Sequence, residues 1–94
     1  MSLSKAKELI LIEAEAVRGL VKKLDQNFEE ALDLIMKCRG RLIVSGMGKT
    51  GIVGRKIAAT LSSTGTPSIF MHSAEAVHGD LGQVMPGDVV IVIS

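Results

Sequence analysis

Between Ser4 and Leu24 the apolar positions Leu9, Ile12, Ala16, Leu20 and Leu24 recur at helical spacing, and Ile10, Val17 and Val21 widen the stripe. The pattern predicts a long amphipathic helix, in which Gly19 costs about 1 kcal/mol relative to Ala. A second helix is predicted to start near Asn27, whose side chain can cap it while Glu30 follows at capping-box spacing. Its buried face would be Phe28, Ala31, Leu32, Ile35 and Met36, with Gly40 as the left-handed residue that ends it.

The pattern then changes. Arg41 to Ser45 carries the short apolar run Leu42-Ile43-Val44 and leads into the glycine-rich stretch Gly46 to Gly51, which predicts a buried strand feeding a tight loop. Helical period returns from Ile52 to Ser63 through Ile52, Val53, Ile57, Ala58 and Leu61, and Gly65 with Pro67 ends it. Ser68 to Met71 reads as a shorter strand, and Ser73 to Gly82 as a short helix plus loop. Pro86-Gly87 marks a turn. Asp88 to Ser94 then runs Val89-Val90-Ile91-Val92-Ile93 without polar alternation, the pattern of a strand buried on both faces. Strands separated by helices predict the α/β class, a parallel sheet covered on both sides. A chain that stops on its most hydrophobic strand is expected to be a fragment of a longer protein, or to be completed by a partner chain.

Composition narrows the function. Ninety-four residues make one small domain or part of one, and 47% apolar with 22% charged residues describes a chain that folds. With 2% aromatic residues and a net charge of +1, neither base stacking nor polyanion attraction is expected, so no nucleic-acid partner is predicted. No apolar run approaches the roughly 20 residues that span a bilayer, and no membrane partner is predicted. The lone Cys38 cannot form an internal disulfide and reads as a core residue late on a helix, which makes a reducing, cytoplasmic setting the expectation.

Candidate chemistry gathers in two places. The first is Leu42 to Gly51, a strand turning through glycines into a helix at the carboxyl end of a sheet, where open α/β folds bind ligands. Glycines let the backbone approach a ligand, free N–H groups favour an anion, and Lys49 adds an ammonium. The competing structural reading is a tight turn with a solvated lysine. A Walker A loop fails, because Ile43 stands where its first glycine is needed. The spacing Gly46-x-Gly48-x-x-Gly51 satisfies the dinucleotide fingerprint, but His72 and Ser73 occupy the region of the expected acidic partner. A compact sugar-phosphate site is the third reading.

The second place is Glu75, His78 and Asp80, after the second strand. Residues three apart share a helix face, and an imidazole with a pKa near 6.5 suits proton transfer at neutral pH. The structural alternative has His78 and Asp80 bonding each other or nearby backbone. His72 reads as a strand cap and Met47 as lining of the loop. The basic group Lys37, Arg39, Arg41, Arg55 and Lys56 reads as a solvated face balanced by Glu29, Glu30 and Asp33, and Thr60, Ser62, Ser63 and Thr64 as an end cap or a subunit contact.

The blocks Gly46-Met47-Gly48-Lys49-Thr50-Gly51, Gly54-Arg55-Lys56, Ser63-Thr64-Gly65-Thr66-Pro67 and Glu75-Ala76-Val77-His78-Gly79-Asp80-Leu81-Gly82 follow one another in an order and spacing that resembles the sugar isomerase (SIS) domain of bacterial arabinose-5-phosphate isomerases. The resemblance runs from about Glu8 onward. It implies a three-layer αβα sandwich around a parallel sheet of flavodoxin-like topology, incomplete at the C-terminus, with residues 1–94 as the N-terminal part of one such domain. It implies a tetrameric enzyme that interconverts D-arabinose 5-phosphate and D-ribulose 5-phosphate and so feeds Kdo synthesis for lipopolysaccharide or capsule. Its partner is then a small-molecule sugar phosphate, with no cofactor and no metal. Carried over by position, the family's active-site lysine falls on Lys49, its catalytic-region histidine on His78 and an acidic neighbour on Glu75. Ser94 matches the first residue of the serine-rich phosphate loop. With the glycine turn, the expected substrate-binding set is Gly46, Gly48, Lys49, Thr50, Glu75 and Ser94. The loop's remainder and the family's later glutamate and histidine positions are not in this sequence, so turnover is not expected of these 94 residues alone. A non-catalytic sugar-phosphate-sensing module is the alternative, since the same fold also serves in regulators.

Overall fold

The computed structural model describes residues 2–94, which divide into two compact units, residues 2–32 and 33–94. The first unit holds α1 (Leu3–Gly19), followed by a 3₁₀ turn, Leu20–Lys23. The predicted single helix to Leu24 is therefore shorter: α-helical geometry stops at Gly19, the residue with the weakest helical preference in the segment. The apolar stripe is exposed, with Ile10, Leu11, Val17 and Val21 all more than half accessible.

Helix α2 (Gln26–Met36) runs across the division. Its start is set two residues earlier than expected, because Asp25 rather than Asn27 provides the cap: the Asn27 amide donates to Asp25 Oδ1 at 2.9 Å. The expected buried face is not buried. Phe28, Ala31, Leu32 and Met36 are exposed and only Ile35 is half-buried. Gly40 does not adopt the left-handed conformation either; the positive-φ residues are Gly48, Gly65, Gly79 and Gly87. What excludes a side chain at Gly40 is crowding, since a Cβ there would collide with the Asp88 carboxylate and meet the Gly87 carbonyl carbon at 2.9 Å.

The second unit is a three-stranded parallel sheet, β1 (Leu42–Gly46), β2 (Ser68–His72) and β3 (Val89–Val92), in the order β2-β1-β3. This is the 2-1-3 beginning of a flavodoxin-like sheet, and the α/β class expected from the sequence holds. β1 is central and buried throughout. Leu42, Ile43 and Val44 lose essentially all contact with water, each worth about 1.5–3 kcal/mol by transfer. Helix α3 (Gly48–Ser63) packs across β1 and β2 through Gly51, Gly54 and Ala58. Its far end is capped by its own hydroxyls, as one sequence reading had it: Ser63 and Thr64 donate to the Thr60 carbonyl, and Ser62 Oγ donates to Ser68 O at 2.8 Å, tying helix to strand.

After β2 come the short helix α4 (Ser73–Val77) and a 3₁₀ turn, Asp80–Gln83. β3 departs from expectation. Its apolar run is not buried on both faces: it is an edge strand whose Val90 and Val92 are 45% and 69% exposed, while Val89 and Ile91 face inward. A continuous apolar run marks what a strand can bury, and the second face here has nothing of its own unit packed on it.

Candidate functional site

The turn from β1 into α3 is tighter than a loop. Only Met47, extended at φ −135° and ψ 155°, separates the strand from the helix, so Gly48, Lys49, Thr50 and Gly51 form the helix's first turn rather than a loop. Gly48 takes φ +57°, a left-handed value that a side chain would strain. Gly46 is required by closeness: a Cβ would meet Thr50 C, Thr50 O and Gly51 N, each at 3.1 Å. Thr50 Oγ1 donates to Met47 O at 2.8 Å and receives the Met47 amide at 3.4 Å, closing the turn on itself. Lys49 projects from this turn into solvent.

The second turn leaves β2. His72 Nδ1 accepts from the Ala74 amide at 3.1 Å, so His72 caps the start of α4 and not the strand, because its ring reaches a free amide of the helix that follows. Glu75 lies in the first turn of α4 and His78 at its C-cap, with both side chains exposed. Among the described residues neither His78 nor Asp80 forms the side-chain hydrogen bond that a purely structural role would use. The imidazole is free for a ligand.

Parallel pairing brings these turns together. Gly46 lies opposite His72 in the register, so the segments carrying Lys49 and His78 leave the same edge of the sheet from neighbouring strands. The end of β3 arrives there too, through Ile93 N donating to Ser45 O at 2.9 Å. An open cleft of about 300 Å³ at this edge is lined by Met47, Thr50, Ser73, Val92, Ile93 and Ser94. Of the expected binding residues it gathers Thr50 and Ser94. Lys49, Glu75 and His78 stand on the flanking elements without lining it, Gly48 begins the helix beside it, and Gly46 is buried under the turn. Met47 lines it as expected. Ser73 was not singled out from the sequence; its Oγ lies 3.0 Å from the Oγ of buried Ser45. Only its place directly after a strand end hinted at it.

A larger hollow of about 500 Å³ runs along α1 between Lys7, Leu11 and Glu15. All its residues come from one helix, so no chemistry converges there. Among the described residues no group of three or more His, Cys, Asp or Glu side chains is arranged to hold a metal, and no helix is long and apolar enough to cross a membrane.

The opposite edge is structural. Asp88, whose side chain is 2% exposed, accepts from the amides of Arg41 and Met85, each at 2.8 Å, and from the Arg41 guanidinium at 3.2 Å. The two backbone donors, then the guanidinium, hold its pKa below the ordinary carboxylate range against the opposing effect of burial. Arg41 also donates to Gln83 O at 2.8 Å, and Arg55 lies 4.4 Å from the centre of the Phe70 ring. Arg41 is thus not the solvated charge expected, because it is half-buried with specific partners within the fold, whereas Arg55 stays exposed as expected while lying over the ring. Cys38 sits just past α2, half-buried, with its thiol 3.3 Å from Gly87 O.

Comparison with known proteins agrees with this architecture. A family model described as SIS domain matches residues 34–94. The chain is 50% identical over 93 residues to the arabinose 5-phosphate isomerase KpsF of Escherichia coli, covering 98% of this chain and 28% of that protein. It is 53% identical over 88 residues to the arabinose 5-phosphate isomerase KdsD of Shigella flexneri, covering 94% of this chain and 27% of that one. The chain therefore spans less than a third of the curated relatives it matches. Among solved structures, an Escherichia coli protein in complex with arabinose 5-phosphate superposes with a TM-score of 0.86 at 43% identity, over 100% of this chain and 52% of that chain. The parallel sheet, the glycine turn and these matches together assign the chain to a family: it belongs to the SIS-domain family.

Proposed function

We propose that this SIS-domain protein interconverts D-arabinose 5-phosphate and D-ribulose 5-phosphate, with residues 1–94 forming the N-terminal part of the catalytic domain. The observation that carries the reading is the convergence of the Lys49 and His78 segments on one carboxyl edge, beside a cleft whose lining includes the hydroxyl residues Thr50, Ser73 and Ser94. Relatives named for this reaction, at about half identity, support it.

The reaction is an internal redox exchange between neighbouring carbons. A base takes the proton from C2 of the open-chain aldose, and the C1 carbonyl oxygen is protonated, giving an enediol. Returning a proton to C1 while the C2 hydroxyl gives one up yields the ketose. His78, exposed and unbonded, serves as the acid-base group for ring opening or proton transfer. Lys49 donates from its ammonium to sugar oxygens or to the developing oxyanion. Ser94 belongs to the phosphate anchor, Glu75 to the polar rim, and Gly46 and Gly48 keep the backbone clear of side chains where the ligand approaches. No cofactor is invoked, because proton transfers alone balance the reaction. The reading extends to a cytoplasmic homotetramer that supplies Kdo synthesis; the exposed aliphatic side chains support the assembly.

The test is to incubate the intact protein with arabinose 5-phosphate and follow ribulose 5-phosphate by NMR. Replacing His78 with Ala should lower kcat by about 10² to 10⁴ with folding unchanged. Near wild-type turnover in that variant sinks the histidine assignment. Binding of the sugar phosphate without conversion by the wild type sinks the enzyme reading in favour of a sensor.

A further inference from the structure

Ser73 stands in the cleft with no task in the isomerase reading, yet its geometry is defined. Ser73 and Ser45 share a single Oγ to Oγ hydrogen bond at 3.0 Å. Two hydroxyls carry two hydrogens, and one shared bond uses one of them. Ser45 lies at the end of buried β1, 7% exposed, and among the described residues its hydroxyl has no other partner. Were Ser73 the donor, the Ser45 hydrogen would be left buried and unbonded, which is the costly arrangement. Ser45 therefore donates, Ser73 accepts, and the hydrogen of Ser73 remains for the cleft that Ser73 lines.

The neighbouring hydroxyl behaves differently. Thr50 spends its hydrogen on Met47 O at 2.8 Å and offers the cleft only acceptor capacity. Ser73 is thus an oriented donor, and it is complemented best by a group that accepts without donating. Phosphoryl oxygens do this, and their charge strengthens the bond relative to a neutral acceptor. We propose that Ser73, oriented by Ser45, donates a hydrogen bond to a phosphoryl oxygen of the sugar phosphate held in this cleft. The proposal rests on the sugar-phosphate isomerase reading above.

The test compares wild type, Ser73→Ala and Ser73→Thr in the intact protein, with arabinose 5-phosphate as substrate and inorganic phosphate as competing ligand. Ser73→Ala should raise KM about three- to tenfold, weaken inhibition by phosphate in parallel, and leave kcat within about twofold. Ser73→Thr keeps the hydroxyl and should restore both constants. A role confined to packing would shift thermal stability and leave the split between KM and kcat unmoved. An active wild type with unchanged KM in Ser73→Ala overturns the serine contact alone, as does a raised KM with unaltered phosphate inhibition. A wild type inactive on arabinose 5-phosphate overturns the isomerase reading itself and, with it, this contact.

Discussion

Gly54 shows how single positions keep α3 on the sheet. A Cβ built there would stand 3.0 Å from Phe70 Cε1 and 3.2 Å from Val44 Cγ1, so the helix lies against β1 and β2 with no room for a side chain. Phe70 cannot swing away freely, because the Arg55 guanidinium covers its ring. Gly54→Val should therefore destabilise the protein by about 1–3 kcal/mol in urea denaturation, the usual cost of overpacking. An unchanged midpoint would mean that helix and sheet slide apart at no cost. Because α3 carries Lys49 in its first turn, a displaced helix would also misplace the ammonium. Packing and site geometry meet at this residue.

At the scale of elements, the strands are held at their entrance by Asp88. Its carboxylate takes the amide and guanidinium of Arg41, just before β1, and the amide of Met85, just before its own strand. These donors favour the charged form, so the folded-state pKa lies below the ordinary aspartate value of about 3.9. The sign follows from linkage. A carboxylate with a depressed pKa contributes stability in full above the unfolded value, and that contribution is lost as pH falls through the folded one. Asp88→Asn should lower Tm at pH 7 and flatten the fall of Tm with acidification below about pH 3.9. Equal Tm values for the two proteins at pH 7 would remove the clamp from the account. The same interaction ties β3 to β1, and β3 brings Val92, Ile93 and Ser94 to the cleft at its other end.

At the scale of the whole molecule, aliphatic surface is the outstanding feature. Ile52, Val77 and Val92 in the second unit, and Ile10, Leu11 and Val17 in the first, are each more than half exposed. Where such side chains gather into one large patch, a partner surface ordinarily withdraws them from water. The tetramer proposed above provides one, and sedimentation of the intact protein at micromolar concentration should give four times the mass of one chain. A monomeric mass would leave those side chains without that explanation.

How much of this was legible beforehand follows from the range of each interaction. Helical spacing marked α3 and short continuous apolar runs marked the strands, and with them the α/β class, because both are local properties of the chain. The order of blocks from Gly46 to Gly82 pointed to the family, and with it to Lys49 and His78. Local pattern also misplaced things: Gly40 looked like a helix terminator, whereas Asp88, far along the chain, is what leaves it no room for a side chain. Phe28 and Val90 looked buried because an apolar residue records only that burial would be favourable, not that a surface is present to supply it. Through its local preferences, the sequence by itself determined the elements, their order and the residue types at the strand ends. Tertiary structure alone decided that Gly46 lies opposite His72, that the Ser45 and Ser73 hydroxyls meet and that Arg41 clamps Asp88, because each of these joins residues whose separation along the chain carries no local signal.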